Sequence, residues 1–164
     1  MNDHIQTVSN FDLNRYLGTW YEIARLPMKH QPEDSTDVSA HYSLNENGNI
    51  KVQNRCLDEH QQLDESVGEA SVVDGPNGKL EVSFLPEGFR WVPFTKGDYW
   101  VLKIDENYQT ALVGEPGLKY LWILHRDTVL DEQTKNQYLQ YAQSLGYELS
   151  DLIHTVHTGH KTAE

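Results

Sequence analysis

Most of the chain consists of short runs in which apolar and polar residues alternate, interrupted by Gly, Asn, Asp or Pro about every dozen residues. Alternation with a period of two indicates β-strands, and turn residues at this spacing are typical of antiparallel sheets. Pro76-Asn77-Gly78 is the sharpest hairpin signal, because Asn and Gly tolerate the positive φ of tight turns. We therefore predict eight main strands, over residues 19–26, 36–44, 50–57, 66–73, 79–85, 99–105, 109–114 and 120–126.

The pattern changes after the eighth of these strands, where apolar residues recur at helical spacing. Asp131 is a suitable N-cap and Gly146 a suitable C′ residue, so one helix is predicted over about 132–145. A short final strand is predicted over 152–156. The polar tail at 157–164 is expected to fray.

Eight short antiparallel strands followed by one helix are typical of an all-β, up-and-down barrel with the helix packed on its outside. We expect the barrel to span about residues 18–126 within a single domain of 1–164, a length that supports one sizeable core. An eight-stranded barrel is wide enough either to hold one small ligand or to be filled by its own side chains. Alternation leaves both interpretations open.

Charge and cysteine content exclude several classes of function. The 13 Lys and Arg residues are outnumbered by 25 Asp and Glu, and the resulting net charge of -12 repels phosphate backbones, so no nucleic-acid partner is expected. Cys56 is the only cysteine, which excludes an internal disulfide and a multi-thiolate zinc site within one chain. The Gly-x-Ser-x-Gly, Gly-rich phosphate-loop and His-Glu-x-x-His signatures are absent, so we predict no enzyme, cofactor or metal site.

Three segments carry a resemblance to a known family. Residues 10–25, NFDLNRYLGTWYEIAR, resemble the Gly-x-Trp opening motif of the lipocalins, and 121–126, LWILHR, resemble the closing motif on their last barrel strand. Residues 105–113 are similar to the middle motif, and the whole resemblance covers about 8–156 in the expected order. The opening motif is most similar to that of the branch containing bacterial (Blc-type) lipocalins and apolipoprotein D-like proteins.

The resemblance implies an eight-stranded lipocalin barrel with a late helix. It also implies binding, storage or transport of small hydrophobic or amphiphilic ligands, such as fatty acids and lysophospholipids, with a role in membrane lipid maintenance. The partner implied is therefore a small lipophilic molecule, and no catalytic residue is implied.

Gly18, Trp20 and Arg126 are expected to form the structural base of the barrel. Gly18 lets the chain turn tightly into the first strand, and Trp20 is large enough to plug the narrow end. The resemblance implies that the Arg126 guanidinium lies across the Trp20 indole and donates hydrogen bonds to backbone carbonyls.

Counting in twos from the inward-facing base residues gives candidate cavity-lining residues. Glu22 and Asn54 are the informative polar members, because a buried carboxylate must find a partner or become protonated. They either anchor a ligand head group or belong to an internal network that only shapes the pocket. In the resembling branch, positions matching four residues contribute to the pocket, namely Tyr42, Asn54, Trp100 and Trp122. The full set of predicted cavity residues is Glu22, Ala24, Val38, Ala40, Tyr42, Val52, Asn54, Trp100, Leu102, Trp122 and Leu124.

The segment 86–97 holds two prolines, two glycines and the aromatic residues Phe89, Trp91 and Phe94. One interpretation is a portal loop at the rim of the barrel mouth. Another is an apolar surface for transient membrane contact or for pairing of two copies, and a third is a loop packed on its own barrel. Both a monomer and a homodimer are compatible with these interpretations.

The alternative to a carrier is a lipocalin-fold enzyme or a haem-binding protein that uses Glu22, a pocket tyrosine or a histidine of the tail. His154, His157 and His160 recur at every third residue. Because they span a strand end and a polar tail, we interpret this spacing as incidental.

The first ten residues, MNDHIQTVSN, lack the basic and apolar regions of a signal peptide. Members of the resembling branch are often outer-membrane lipoproteins, which carry a cysteine at the mature N-terminus. The resemblance implies the periplasm or outer membrane if a signal peptide has been removed, whereas a native start at Met1 implies the cytoplasm.

Overall fold

Short strands and tight turns dominate the computed structural model, which describes residues 5–27, 35–58, 60–84 and 96–158. Turns separate the strands where Asn, Asp, Gly and Pro cluster, as at residues 45–49 and 75–78. The two helices of the described chain are α1 (Leu13–Tyr16) and α2 (Glu132–Ser144). The strands are β1 (Gly18–Arg25), β2 (Thr36–Leu44), β3 (Ile50–Leu57), β4 (Leu63–Asp74), β5 (Lys79–Phe84), β6 (Lys96–Ile104), β7 (Thr110–Gly114), β8 (Leu121–His125) and β9 (Ile153–His154).

The strands pair in chain order into one antiparallel sheet that closes on itself, because β1 pairs with β2 along one edge and with β8 along the other. β9 adds to β1 beyond the end of the β1–β2 pairing. The predicted eight-stranded up-and-down barrel, with a helix outside and a short final strand, is confirmed. We call the end where β1 begins the lower end and the end where β1 finishes the upper end.

Four register shifts interrupt the pairing of the described strands, and two of them bear on the predicted cavity residues. The register between β1 and β8 shifts between Glu22 and Ala24, and the register between β6 and β7 shifts between Val101 and Lys103. A bulge inserts one extra residue into a strand, so the side chains beyond it exchange their faces. Both bulges change which residues reach the interior.

Helix α2 covers the outer face of β1, β7 and β8. Its N-terminus is capped by Asp131, whose carboxylate accepts a hydrogen bond from the Thr134 amide at 2.9 Å, and it is followed by Gly146 with φ of 111°. Tyr138 and Ala142 on its inner face are buried in a hydrophobic cluster with residues of the barrel wall. The barrel wall is therefore buried on both faces beneath this helix. None of the helices in the described ranges is both long and apolar enough to span a membrane.

Helix α1 lies just before β1 and closes the lower end. The Asp12 carboxylate accepts from the Asn14 amide at 3.0 Å, which caps this single turn. Tyr16 is buried within the barrel cluster. The turn was not predicted because four residues are too few to display helical periodicity.

The C-terminal segment, residues 153–158, continues the wall between the upper parts of β1 and β2. The Thr155 amide donates to the Ile23 carbonyl at 3.0 Å, and the Asp37 amide donates to the Val156 carbonyl at 2.8 Å. The buried Asp37 carboxylate accepts from both the amide and the hydroxyl of Thr158, at 2.9 and 2.8 Å. Residues 157 and 158 thus have distant partners, the Glu22 carbonyl for the His157 ring and the Asp37 carboxylate for Thr158, and fraying of the tail stays a prediction for the residues beyond them.

Candidate functional site

The barrel interior is apolar and crowded with aromatic rings at its lower end. Tyr16 stacks on Tyr42 at 5.6 Å between ring centroids, and its ring lies 4.9 Å from that of Trp20. Two further rings pack against this group. Phe11 lies in the segment just before α1, and Tyr108 lies in the turn before β7. These rings fill the lower end, so the interpretation of a core packed by its own side chains holds there.

Arg126 seals the lower end from outside. Its guanidinium lies 3.8 Å from the centroid of the Trp20 ring. The same group donates to the carbonyl oxygens of Tyr108, Thr19, Arg15 and Tyr16 at 3.1, 2.9, 2.9 and 3.3 Å. Gly18 has φ of 105°, and a Cβ atom there would lie 3.2 Å from Arg126 Nη1, so this position requires glycine. The base expected from the family resemblance is present.

Three tyrosine hydroxyls meet above this base. Tyr99 lies between the other two, with its hydroxyl oxygen 2.5 Å from that of Tyr16 and 2.8 Å from that of Tyr42. The rings of the three tyrosines border an apolar cavity of about 10 Å³, roughly the space of one small group. The complete lining is Leu13, Tyr16, Tyr42, Ile50, Val52, Ala70, Leu80, Val82 and Tyr99. We call Tyr16, Tyr42 and Tyr99 the tyrosine triad.

Burial sets the ionisation of the triad. It raises the pKa of Tyr42 to about 12 and raises the pKa values of Tyr16 and Tyr99 well above the ordinary range. The nearby phenols add to the rise for Tyr16 and Tyr99, since a phenolate beside them would repel a second one. All three hydroxyls therefore keep their protons at neutral pH.

These raised pKa values predict a loss of stability in alkali. Unfolded tyrosines ionise near pH 10, whereas the native triad holds its protons to higher pH, so the stabilisation is intact below about pH 10 and declines as pH rises towards about 12. We expect urea unfolding to give a constant free energy up to about pH 9 and a falling one above pH 10. Phenolate absorbance should reveal tyrosines that ionise only on unfolding. Titration of all nine tyrosines near pH 10 in the native state would contradict the prediction.

The upper interior contains a buried ion pair. Arg25 Nη1 lies 2.9 Å from Glu22 Oε2, and their side chains are 0% and 3% exposed. The Thr155 hydroxyl donates a second hydrogen bond to the same carboxylate oxygen. Arg25 aligns with Trp122 of β8 on the inner face, because the β1 bulge turns it inward. The partner that the Glu22 carboxylate requires is thus Arg25 together with the C-terminal segment.

Other polar side chains lie on the inner face at the same end. Asn54 aligns with Ala40 on one side and with Ser66 on the other. Ser66 is 1% exposed, and its hydroxyl has no hydrogen-bond partner among the described residues. Cys56 is also buried. Its burial, and to a smaller extent the negative charge of Asp64, raise the pKa of the Cys56 side chain to about 12, so the side chain is a thiol and not a reactive thiolate.

Most of the residues predicted to line the cavity face the interior. They belong to the inner cluster, pack against it, or align with its members across neighbouring strands. This agreement concerns orientation, and contact with a ligand stays a prediction. Val38 is buried as well, beside the irregularity at Asp37. The inward-facing residues are Glu22, Ala40, Tyr42, Val52, Asn54, Trp122 and Leu124.

The predicted orientation is wrong for Ala24, Trp100 and Leu102. All three belong to or pack against the outer cluster beneath α2, and the Lys79 ammonium lies 4.4 Å from the Trp100 ring centroid on that outer face. Counting in twos fails because each count crosses a bulge. The residues that take their places inside are Arg25, Tyr99 and Val101.

The remaining residues singled out from the sequence are the aromatic residues of the predicted portal and the histidines near the C-terminus. Phe89, Trp91 and Phe94 fall within residues 85–95, outside the described ranges, so the portal stays a prediction. His154 Nδ1 lies 3.2 Å from Lys135 Nζ on the outer surface, and His157 Nε2 lies 2.7 Å from the Glu22 carbonyl oxygen. His160 is also outside the described ranges.

Comparison with known proteins agrees with this architecture. A family model described as a lipocalin-like domain matches residues 11–157. The chain is 38% identical to temperature-induced lipocalin-1 of Arabidopsis thaliana, over 92% of this chain and 82% of that protein. It is 39% identical to outer membrane lipoprotein Blc of Citrobacter freundii, over 91% of this chain and 81% of that protein, and 35% identical to apolipoprotein D of Bos taurus, over 80% and 69%.

Solved structures share the fold at lower identity. Insecticyanin from the tobacco hornworm Manduca sexta superposes with a TM-score of 0.67 at 21% identity, covering 92% of this chain and 83% of that one. Lobster apocrustacyanin A1 superposes with a TM-score of 0.67 at 14% identity, covering 87% and 78%. The closed barrel, its sealed base and the extent of these matches establish that the chain belongs to the lipocalin family.

Proposed function

We propose that this lipocalin binds and carries single-chain amphiphiles, with fatty acids and lysophospholipids as its ligand classes. Lipocalins bind and transport small hydrophobic ligands, and they generally are not enzymes. The observation that carries the proposal is the change of polarity along the interior, from apolar side chains in the lower half to the Glu22–Arg25 pair, Asn54 and Ser66 in the upper half. An amphiphile has the same change of polarity along its length.

The ligand's hydrocarbon chain would supply the affinity. A chain of about sixteen carbons gains at most about 12 kcal/mol when it is fully buried, at roughly 0.8 kcal/mol per methylene. Association and ordering cost roughly 4 kcal/mol or more, which leaves dissociation constants from micromolar to tens of nanomolar. The chain would run along the inner face between Trp122 and the tyrosine triad.

Polar side chains of the upper interior would meet the head group. The Ser66 hydroxyl has no partner in the part of the chain that the structure describes, and the Asn54 amide lies beside it on the neighbouring strand, so both have capacity for a ligand oxygen. Glu22 and Arg25 already neutralise each other, and we propose that this pair orients neighbouring groups. Relatives named outer membrane lipoprotein are membrane proteins by that name, and we propose that the amphiphiles carried by this chain derive from membrane lipids.

The position of the tryptophans allows a direct binding test. Trp122 faces the interior whereas Trp100 lies on the outer face, so a chain inside the barrel should change the emission of Trp122 and not that of Trp100. We expect hexadecanoic acid and lysophosphatidylcholine to change the tryptophan fluorescence of the wild type saturably. Trp122→Phe should remove most of this response, and the matched control Trp100→Phe should retain it. Loss of the response in Trp100→Phe with retention in Trp122→Phe would contradict the proposal.

A further inference from the structure

The C-terminal segment fills a gap that β1 and β2 leave in the upper part of the barrel wall. We propose that this segment is a displaceable part of the wall, and that amphiphiles enter the upper interior sideways through the gap that it uncovers. The route is an alternative to the portal predicted for residues 86–97. This inference rests on the proposed function and specifies how its ligands reach the interior.

The gap begins where β1 and β2 separate. The two strands pair directly only as far as Tyr21 and Ser39. Just above this level, one register shift lies between Glu22 and Ala24 of β1, and another lies between Thr36 and Ser39 of β2. A bulge bends the strand that contains it, so two bulges at the same level make the strands diverge. The separation is therefore built into both strands.

The C-terminal segment lies between the separated strands and pairs with both. Ile153 and His154 pair with β1, whereas Val156 forms a parallel bridge with Thr36 of β2. With a spacing of about 4.8 Å on each side of the segment, the backbones of β1 and β2 lie about 10 Å apart at this level. Displacement of the segment would thus leave a slot one strand wide, which an extended hydrocarbon chain can pass.

The segment is attached to the barrel without a hydrophobic anchor. None of its residues belongs to, or packs against, either hydrophobic cluster of the described chain, and Val156 is 57% exposed. Detachment would expose little apolar surface, and water can replace the hydrogen bonds that are lost. Leu152, just before the segment, packs against the outer cluster and would stay in place as the hinge. Opening is therefore local and does not require the barrel to unfold.

Two threonine hydroxyls connect the segment to the strands beside the gap. Thr158 donates to the Asp37 carboxylate at 2.8 Å, and Thr155 donates to the Glu22 carboxylate on the inner face. Displacement of the segment removes the Thr155 hydroxyl and uncovers the Glu22–Arg25 pair. A polar head group at the gap would then meet polar atoms while its hydrocarbon chain crosses the wall.

A disulfide across the gap tests this route. In a Cys56→Ala background, Thr36→Cys/Val156→Cys places two thiols on paired residues of the gap, within the Cα separation that a disulfide requires. The matched control is Ser71→Cys/Glu81→Cys in the same background, which joins β4 to β5 away from the gap. Both pairs are compared in the oxidised and in the reduced state.

The readout is the rate of ligand exchange. Uptake of hexadecanoic acid and lysophosphatidylcholine, and their release to phosphatidylcholine vesicles, are followed by stopped-flow measurement of Trp122 fluorescence. The oxidised gap disulfide should slow uptake and release by about tenfold or more, with little change in the dissociation constant, because the segment can no longer open. Dithiothreitol should restore both rates, and the control disulfide should leave them unchanged.

The outcomes separate the route from the function. Exchange rates that the gap disulfide leaves unchanged would overturn the inference and leave the carrier function intact, whereas failure of both ligands to bind the wild type would overturn the proposed function.

If the gap disulfide does not form, a hydrogen-bond variant decides. Thr158→Ala should speed release several-fold, because it removes the hydroxyl that contacts Asp37. The matched control Thr128→Ala, which removes a hydroxyl 3.4 Å from Asp127 at an exposed position, should not change the rate. Equal release rates in Thr158→Ala and the wild type would overturn the inference.

Discussion

Replacing Arg25 by methionine is expected to lower the free energy of unfolding by about 3–5 kcal/mol, because it leaves the Glu22 carboxylate buried without its positive partner. The two side chains are almost entirely excluded from water, so solvent cannot take over the role of the guanidinium. Among the described residues, the hydrogen bond from the Thr155 hydroxyl would then remain to stabilise the carboxylate. The effect should be read from urea unfolding at neutral pH.

Two controls isolate the ion pair from the loss of side-chain volume. The double variant Glu22→Gln/Arg25→Met removes both charges and should regain most of the lost stability. Arg55→Met breaks the partly exposed contact between Arg55 Nε and Glu65 Oε2, 2.5 Å apart, and should cost less than about 1 kcal/mol. A loss below 1 kcal/mol for Arg25→Met, or equal losses for Arg25→Met and the double variant, would contradict this account.

Replacing Arg126 by alanine is expected to cost about 3 kcal/mol or more. The guanidinium donates hydrogen bonds to four carbonyl groups and covers the Trp20 ring, so its removal leaves several acceptors unpaired and opens the lower end. Ligand affinity should change much less than stability, because Arg126 lies below the sealed base and not in the upper interior. Chemical unfolding and fluorescence titration measure the two quantities separately.

A neighbouring arginine provides the matched control. Arg15 donates to one carbonyl, that of Glu106 at 2.8 Å, and lies 4.3 Å from the Tyr108 ring centroid at an exposed position. Arg15→Ala should therefore cost about 1 kcal/mol or less. Arg126→Lys should recover only part of the loss, since one ammonium group cannot replace the planar fork of donors. Comparable losses for Arg15→Ala and Arg126→Ala would contradict the assigned role.

The fold was predictable because local signals agree with it. Strands β2 and β3 begin and end at the predicted residues, since their alternation is regular and the turn at 45–49 is marked by three Asn residues and Gly48. The helix after the barrel was predictable from Asp131 and Gly146 because each performs its expected capping role. Strand β4 extends three residues before its predicted start, where Leu63, Asp64 and Glu65 continue the pairing with β3.

The orientation of side chains was less predictable wherever a bulge lies inside a strand. Ile104 packs against the inner cluster, but counting backwards from it in twos crosses the β6 bulge and places Leu102 and Trp100 on the wrong face. In β1 the same counting places Ala24 inside and Arg25 outside, whereas the structure has Arg25 inside and Ala24 outside. No apolar pattern marks these bulges, because α2 also buries the outer face and removes the contrast between the two sides.

The polar contacts of the upper interior could not be predicted from the sequence. The partner of Glu22 is Arg25 only because of the bulge, and its second partner, Thr155, arrives from the C-terminal segment. The contact between Asp37 and Thr158 likewise joins distant parts of the chain. Such pairs depend on closure of the barrel, which local propensity does not encode.

A crystal structure of the protein with bound hexadecanoic acid tests the central claim most directly. We expect one continuous chain inside the barrel, in contact with the inner face of Trp122 and ending at the tyrosine triad, with the carboxyl group among Asn54 and Ser66 of the upper interior. A chain bound instead on the outer face beside Trp100 and helix α2, or an interior without ligand at saturating concentration, would contradict the claim that the barrel interior is the binding site.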